Sequence, residues 1–563
     1  MGTFGIPLSR PAYKPAAKLT MRQFPGQEYG RQVRGDLEWG TIPRLVRVAA
    51  ERYLDVEALV DGAMRLTFAD LADAVVEATG AAISAGIEPG DRAAIWAPNS
   101  GQWVIAALGL LSAGAVLVPL NTRFKGQEAA YILGKSGARA LFTVNGFLGT
   151  DYVALLESAN VDLGSLQVIV VLQGNAPVGT VGWSNYLAAG SVVTADDAQK
   201  RAESVRGDDL SDIIFTSGTT GRPKGAMLTH AQTLRVFADW SAIVGLSEGD
   251  RYLIVNPFFH TFGYKAGFLA CLIRGATIVP HAVFDVGTVL AQVAEERISM
   301  LPGPPTLFQS ILNHPDRDAY DLSSLRLAVT GAAAVPVQMI RRMREELTFK
   351  RIITGYGLTE SCGTAAMCRE DDDPETIANF SGRAIPDTEL RIVDDHGNEV
   401  AHGTHGEVVT RGYHVMKGYL DEPEETANAI DVDGWLHTGD IGVMDERGYI
   451  QITDRKKDMF IAGGFNAYPA EIEGVLLRHP SVGQIAVVGA PDDRLGEVGM
   501  AFVVPRQGVS VDPTALLEWA RGQMANYKVP RYLEVVDELP LNAVGKVLKY
   551  ELRERARSLI STG

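Results

Sequence analysis

Cysteine is scarce in this chain. Cys271, Cys362 and Cys368 are the only three in 563 residues, and none forms a Cys-x-x-Cys pair. An odd, unpaired set argues against a disulfide framework or a thiolate zinc site and fits a reducing compartment. Basic charge is in deficit as well: 68 acidic against 52 basic residues leave a net charge of −16. That balance argues against a broad nucleic-acid-binding surface. Long apolar runs are nearly missing. Residues 103–120 carry no charge and approach the length of a membrane span, but Gly114 and Pro119 punctuate them. A helix followed by a buried strand explains the run better. The N-terminus has no secretory apolar core, and residue 6 is Ile where a myristoylation signal needs Ser or Thr. The expectation is a soluble cytoplasmic protein with no integral membrane segment and no nucleic-acid partner.

What is present is an ordinary globular balance, 46% hydrophobic and 21% charged, in a chain too long for one core. Residues 1–40, with Pro7, Pro11, Pro15 and Pro25, read as an arm or strap. From Leu66 the pattern alternates: helix at 67–84, strand at 92–96, helix at 101–113, strand at 116–119. Further strands follow at 138–144, 168–172, 213–215, 276–280 and 325–330. Such alternation predicts a parallel sheet covered by helices. Near Thr388 short alternating strands at 389–393 and 407–411 suggest an antiparallel, barrel-like unit. Beyond Asp454 a helix opening at Pro469 and strands at 484–488, 501–504 and 532–536 suggest a compact α+β domain. The predicted division is an N-terminal domain at 1–453, a hinge at 454–458 and a C-terminal domain at 459–563.

The central stretch is Thr216-Ser217-Gly218-Thr219-Thr220-Gly221-Arg222-Pro223-Lys224-Gly225, after a strand and ahead of a helix expected at 231–237. Its glycines let backbone N–H groups approach an anion, and its hydroxyls and lysine add donors suited to a triphosphate. It is not a Walker loop, because glycine rather than Ser or Thr follows the lysine. Gly355-Tyr356-Gly357-Leu358-Thr359-Glu360 is a second anchor, offering room for a flat ligand, a stacking ring and a hard oxygen for Mg²⁺.

These two segments resemble the signatures of the adenylate-forming superfamily of acyl-CoA synthetases, peptide-synthetase adenylation domains and luciferases. The resemblance runs from about Leu66 to about Leu552. It implies an α/β fold: a large N-terminal domain of two doubly wound subdomains plus the β-barrel-like unit, hinged to the small α+β domain. It also implies ATP, Mg²⁺ and coenzyme A as cofactors, a small-molecule carboxylic acid as substrate, and a homodimer among the admissible assemblies. Thr216, Ser217, Gly218, Thr219, Thr220 and Lys224 would hold phosphates. Gly331, Ala332 and Ala333 would wall the adenine or acyl group, beside Gly355 and Gly357. Tyr356 would stack on adenine, Thr359 meet the α-phosphate and Glu360 reach the metal. Asp440, in Gly434-Trp435-Leu436-His437-Thr438-Gly439-Asp440, and Arg455 would take the ribose. Lys457 would be the hinge position, Gly463 and Gly464 would line the CoA channel, and Lys546 would bind the carboxylate and α-phosphate during adenylation.

The acid is read from Asn256-Pro257-Phe258-Phe259-His260-Thr261-Phe262-Gly263-Tyr264-Lys265, which matches the family's aromatic–histidine segment. Phe259, His260, Tyr264, Pro304, Gly331 and Gly357 are the expected acyl pocket, with His260 orienting the carboxylate or gating the pocket. Residues 256–263 contain no acid to hold an ammonium, which disfavours an amino-acid substrate. Lys265 meets a distal oxygen of the acid, lies on the surface or forms a salt bridge. The wording of residues 258–267 and 301–310 looks closest to actinobacterial ligases of polycyclic acids, steroid-derived or terpenoid, with a fatty acid as the other choice. The competing functions are an adenylation enzyme loading a carrier protein and a catalytically degenerate nucleotide-binding regulator.

Overall fold

Valine, isoleucine and alanine dominate the strands Arg92–Trp96 and Val116–Pro119, which are almost wholly buried. Strands buried on both faces need helices above and below, the requirement of a parallel sheet. The computed structural model describes residues 34–216, 223–331, 335–455, 458–462, 465–492, 495–524, 526–541 and 547–561. Most of the arm, together with Ser217, Gly218, Thr219, Thr220, Ala332, Ala333, Lys457, Gly463, Gly464 and Lys546, lies outside the described residues.

The first sheet runs Gly418–Tyr419, Lys224–Thr229, Leu210–Thr216, Val116–Pro119, Arg92–Trp96, Ala140–Phe147, Val168–Gln173 and Val181–Gly182. Its strands are parallel from Leu210–Thr216 onward. Helix Phe68–Ser84 starts at a capping box, where the Thr67 hydroxyl accepts from Asp70 N and the Asp70 carboxylate accepts from Thr67 N. The uncharged run resolves into helix Gly101–Ser112 and the buried strand Val116–Pro119, and no described helix is long and apolar enough to cross a membrane.

The motif starts at the end of strand Leu210–Thr216 and lies ahead of helix His230–Val244, as expected, but an unforeseen strand, Lys224–Thr229, intervenes. That strand pairs antiparallel with Leu210–Thr216, with Thr216 opposite Lys224, so the two described ends of the motif lie side by side. Helix His230–Val244 begins only then, with its own capping box of Thr229 and Gln232, and ends at left-handed Gly245.

The second sheet places Arg251–Ile254 parallel to Thr277–Pro280, which is parallel to Glu57–Asp61. Met300 bridges Tyr252 to Leu327, joining this group to the parallel pair Leu327–Thr330 and Arg351–Tyr356. The unit after Thr388 is a four-stranded antiparallel sheet of Thr388–Val393, Gly406–Gly412, Leu436–Met444 and Ile450–Arg455. The last part of the chain forms a five-stranded sheet around Val482–Asp492 and Gly496–Pro505, with core residues such as Phe460, Leu476, Val503 and Phe502. The architecture is the mixed α/β arrangement expected.

Candidate active site

In open α/β sheets the carboxyl ends of parallel strands leave a crevice where side chains from several strands converge. Thr216 ends its strand in the first sheet, and the Phe258–His260 turn follows Arg251–Ile254 in the second. Gly303 and Pro304 follow the Met300 bridge, Gly331 follows Leu327–Thr330, and Gly357 follows Arg351–Tyr356. Gly331 holds φ +149°, which favours glycine. At Gly357 a Cβ would stand 2.4 Å from the Gly363 carbonyl oxygen, so only glycine fits. Gly355 is partly buried and Thr359 is buried. Buried Asn99 clamps the 254–258 turn, its amide donating to Ile254 O at 3.0 Å and Asn256 O at 2.9 Å while Oδ1 accepts from Phe258 N at 2.7 Å.

Two polar clusters occupy the expected nucleotide side. Glu360 Oε1 accepts from Thr216 Oγ1 at 3.1 Å and from the Tyr419 hydroxyl at 2.8 Å. Desolvation, then the nearby Glu360 charge, push the Tyr419 hydroxyl well above its ordinary pKa, so it stays a donor. Lys224 Nζ is ion-paired with Glu425 and lies 5.2 Å from the Tyr419 ring centroid. In the second cluster the Tyr356 hydroxyl donates to Asp440 Oδ2 at 2.5 Å, and Asp440 is buried. Asp440 stands opposite Arg455 in the antiparallel ladder, so the two expected ribose contacts are brought together at the backbone level.

On the expected acyl side, His260 is exposed, and desolvation by the protein around its ring lowers its pKa. Its Nδ1 accepts from Phe262 N at 3.2 Å, which leaves the proton of the neutral ring on Nε2. Phe259 is partly buried and Pro304 exposed at the start of helix Pro305–Leu312. Tyr264 does not join them. It is fully buried beside Trp103 and Phe268, so it backs the site without lining it. Lys265 is also fully buried, with Nζ 2.8 Å from Asp212 Oδ1, 3.0 Å from Thr233 Oγ1 and 3.7 Å from Cys362 Sγ. The salt bridge is the alternative that holds. A π-helical turn at Phe262–Leu269 turns both residues inward.

Tyr419 and Glu425 were invisible to motif reading. Gly418–Tyr419 is a two-residue strand and Glu425 sits in the short helix Pro423–Ala429, so neither shows a period. The donor set suits Mg²⁺. Among the described residues no group of three His, Cys, Asp or Glu side chains could hold a metal, but Glu360 and the Thr216 hydroxyl offer hard oxygens 3.1 Å apart. Such a site completes its ligand shell with substrate phosphates and water.

A family model described as "AMP-binding enzyme" matches residues 46–420, and its companion, "AMP-binding enzyme C-terminal domain", matches residues 471–546. The 3-[(3aS,4S,7aS)-7a-methyl-1,5-dioxo-octahydro-1H-inden-4-yl]propanoyl:CoA ligase of Rhodococcus jostii is 50% identical over 92% of this chain and 99% of its own. The ligase of the same name from Mycobacterium tuberculosis is 50% identical over 91% of this chain and 98% of its own. Among solved structures, the anthranilate CoA ligase AuaEII in complex with anthranoyl-AMP is 27% identical, with a TM-score of 0.80, covering 92% of this chain and 98% of that one. With both models matched in order, and the strand pair, the Glu360 turn and Asp440 gathered at the strand ends, the chain belongs to the AMP-binding enzyme family of adenylate-forming enzymes.

Proposed function

We propose that this AMP-forming acid–CoA ligase activates a fused-ring alicyclic acid of steroid or terpenoid origin. The observation that carries the substrate is the 50% identity, across nearly the whole chain, to two ligases of an indane-type propanoate.

The reaction needs no protein nucleophile. The acid's carboxylate attacks the α-phosphorus of ATP, giving acyl-AMP and pyrophosphate. The CoA thiol then loses its proton and attacks the acyl carbon, expelling AMP. In our reading Thr216, Lys224 and Thr359 orient the phosphates, Tyr356 stacks on adenine, and Asp440 with Arg455 takes the ribose hydroxyls. Glu360 and Thr216 would hold Mg²⁺, which neutralises phosphate charge when bound. The His260 Nε2–H orients the carboxylate. Orientation and fixed charge thus supply the catalysis. Lys546 serves the first half-reaction and Gly463-Gly464 the second, with the C-terminal domain turning about Lys457 between them. The cytoplasm is the compartment we assign, and a homodimer is compatible with this reading.

The test is a panel of acids with ATP, Mg²⁺ and CoA, read by mass spectrometry for the acyl-CoA. A ring acid should give the highest kcat/KM, and a linear acid surpassing every ring acid would overturn the substrate assignment. Replacing CoA with a holo-carrier protein separates the carrier-loading alternative.

A further inference from the structure

The segment 418–429 approaches the nucleotide site from outside both signature motifs. Tyr419 pairs with Ala226 in strand Lys224–Thr229 and donates to Glu360. Thr426 Oγ1 accepts from Tyr419 N at 2.9 Å, fixing the short helix Pro423–Ala429 against that strand. Lys135 pins the outer side through Glu422 at 2.9 Å. The helix is thereby held with Glu425 against Lys224, whose side chain is only 12% exposed while that of Glu425 is 33% exposed. A lysine this enclosed needs a counter-charge, and Glu425 provides one.

We propose that Glu425 is an exchangeable counter-anion. It positions Lys224 until a phosphate of ATP displaces it, and it takes the lysine back when pyrophosphate leaves. This rests on the reading of Lys224 as a phosphate ligand. The carboxylate and a phosphate oxygen offer the ammonium the same kind of charge-assisted hydrogen bond, so exchange leaves no bare charge at any stage. Glu425 is partly open to water and solvated once released, which keeps the exchange shallow. It acts through Lys224 and is a positioning residue.

Glu425→Gln keeps shape and removes the competing charge. ATP and pyrophosphate should each bind about fivefold more tightly to this variant, the scale of a partly exposed ion pair. The measurement is calorimetric Kd for Mg-ATP and for pyrophosphate in the wild type, Glu425→Gln, Lys224→Met and the double variant, with melting temperatures checked for each. Exchange predicts that Lys224→Met weakens both ligands and that the gain from Glu425→Gln vanishes in the double variant. A gain that persists in full without the lysine would reduce Glu425 to general repulsion and overturn the proposal. Weaker or unchanged binding by Glu425→Gln, with Lys224→Met still harmful, would overturn it alone. If Lys224→Met leaves both affinities unchanged, the assignment of the lysine to phosphate falls first. A Glu425→Ala variant gives the same comparison should the glutamine variant fail to fold.

Discussion

Replacing Lys265 by methionine tests how the strand pair Leu210–Thr216 and Lys224–Thr229 is anchored. Nζ lies 2.8 Å from Asp212 Oδ1, and both side chains are fully buried. At that separation the attraction is about 6 kcal/mol for an effective dielectric near 20, before the cost of removing two ions from water. The net value of the pair is therefore small, but the value of either partner alone is not. Lys265→Met strands a carboxylate that also accepts from Ser211 Oγ at 2.6 Å. We expect a loss of about 3–5 kcal/mol, and a similar loss for Asp212→Asn, which strands the ammonium. The double variant should recover most of it, because no charge is left unpaired. The assay is urea unfolding followed by tryptophan fluorescence, since Trp103 and Trp240 report on the adjoining core. A loss below about 1 kcal/mol for Lys265→Met, or additive losses in the double variant, would refute the reasoning.

Other expectations follow from the same geometry. Burial lowers the pKa of His230 to about 3 and of His414 to about 4. The unfolded chain thus takes up protons below pH ~6.5 that the folded one refuses, and stability falls by up to about 1.4 kcal/mol per pH unit for each histidine. Melting curves from pH 7 to 4.5 should show the decline, and His414→Gln should flatten it; a pH-independent wild type would contradict this. Tyr356→Phe removes the hydrogen bond to Asp440 and should raise the KM for ATP about five- to tenfold with kcat nearly kept, measured by pyrophosphate exchange; an unchanged KM would detach that pair from nucleotide binding. Lys546→Ala should slow adenylation by roughly a hundredfold while sparing thioester formation from supplied acyl-AMP. Equal losses in both half-reactions would sink domain alternation.

Legibility in the sequence followed the strength of the local signal. The strands at Arg92–Trp96 and Val116–Pro119 were read to the residue, because turn signals bound short apolar runs. Strand Lys224–Thr229 was missed: Lys-Gly-Ala-Met-Leu-Thr has no alternation, and only pairing with Leu210–Thr216 and Gly418–Tyr419 makes it extended. Lys265 was ambiguous for a different reason. A lysine in an apolar segment is expected to reach water, and its burial depends on Asp212 across the fold. Tyr264 matched the aromatic motif by position, but spacing does not reveal that the backbone widens into a π-helical turn there.

The proposed nucleotide site draws on three sheets, and its hydrogen bonds determine how they must meet. Thr216 comes from the first sheet, Tyr356 and Glu360 from the end of the second, and Asp440 from the antiparallel unit. Glu360 receives bonds from Thr216 and Tyr419, while Tyr356, only four positions earlier, reaches Asp440. The turn after strand Arg351–Tyr356 therefore touches both other sheets within one short segment. Displacing either neighbour breaks a bond to a partly or fully buried carboxylate, which is expensive. If these residues bind the nucleotide as proposed, subdomain packing and nucleotide affinity are coupled: what loosens one sheet against the next should weaken ATP binding, and ATP should tighten the packing in return.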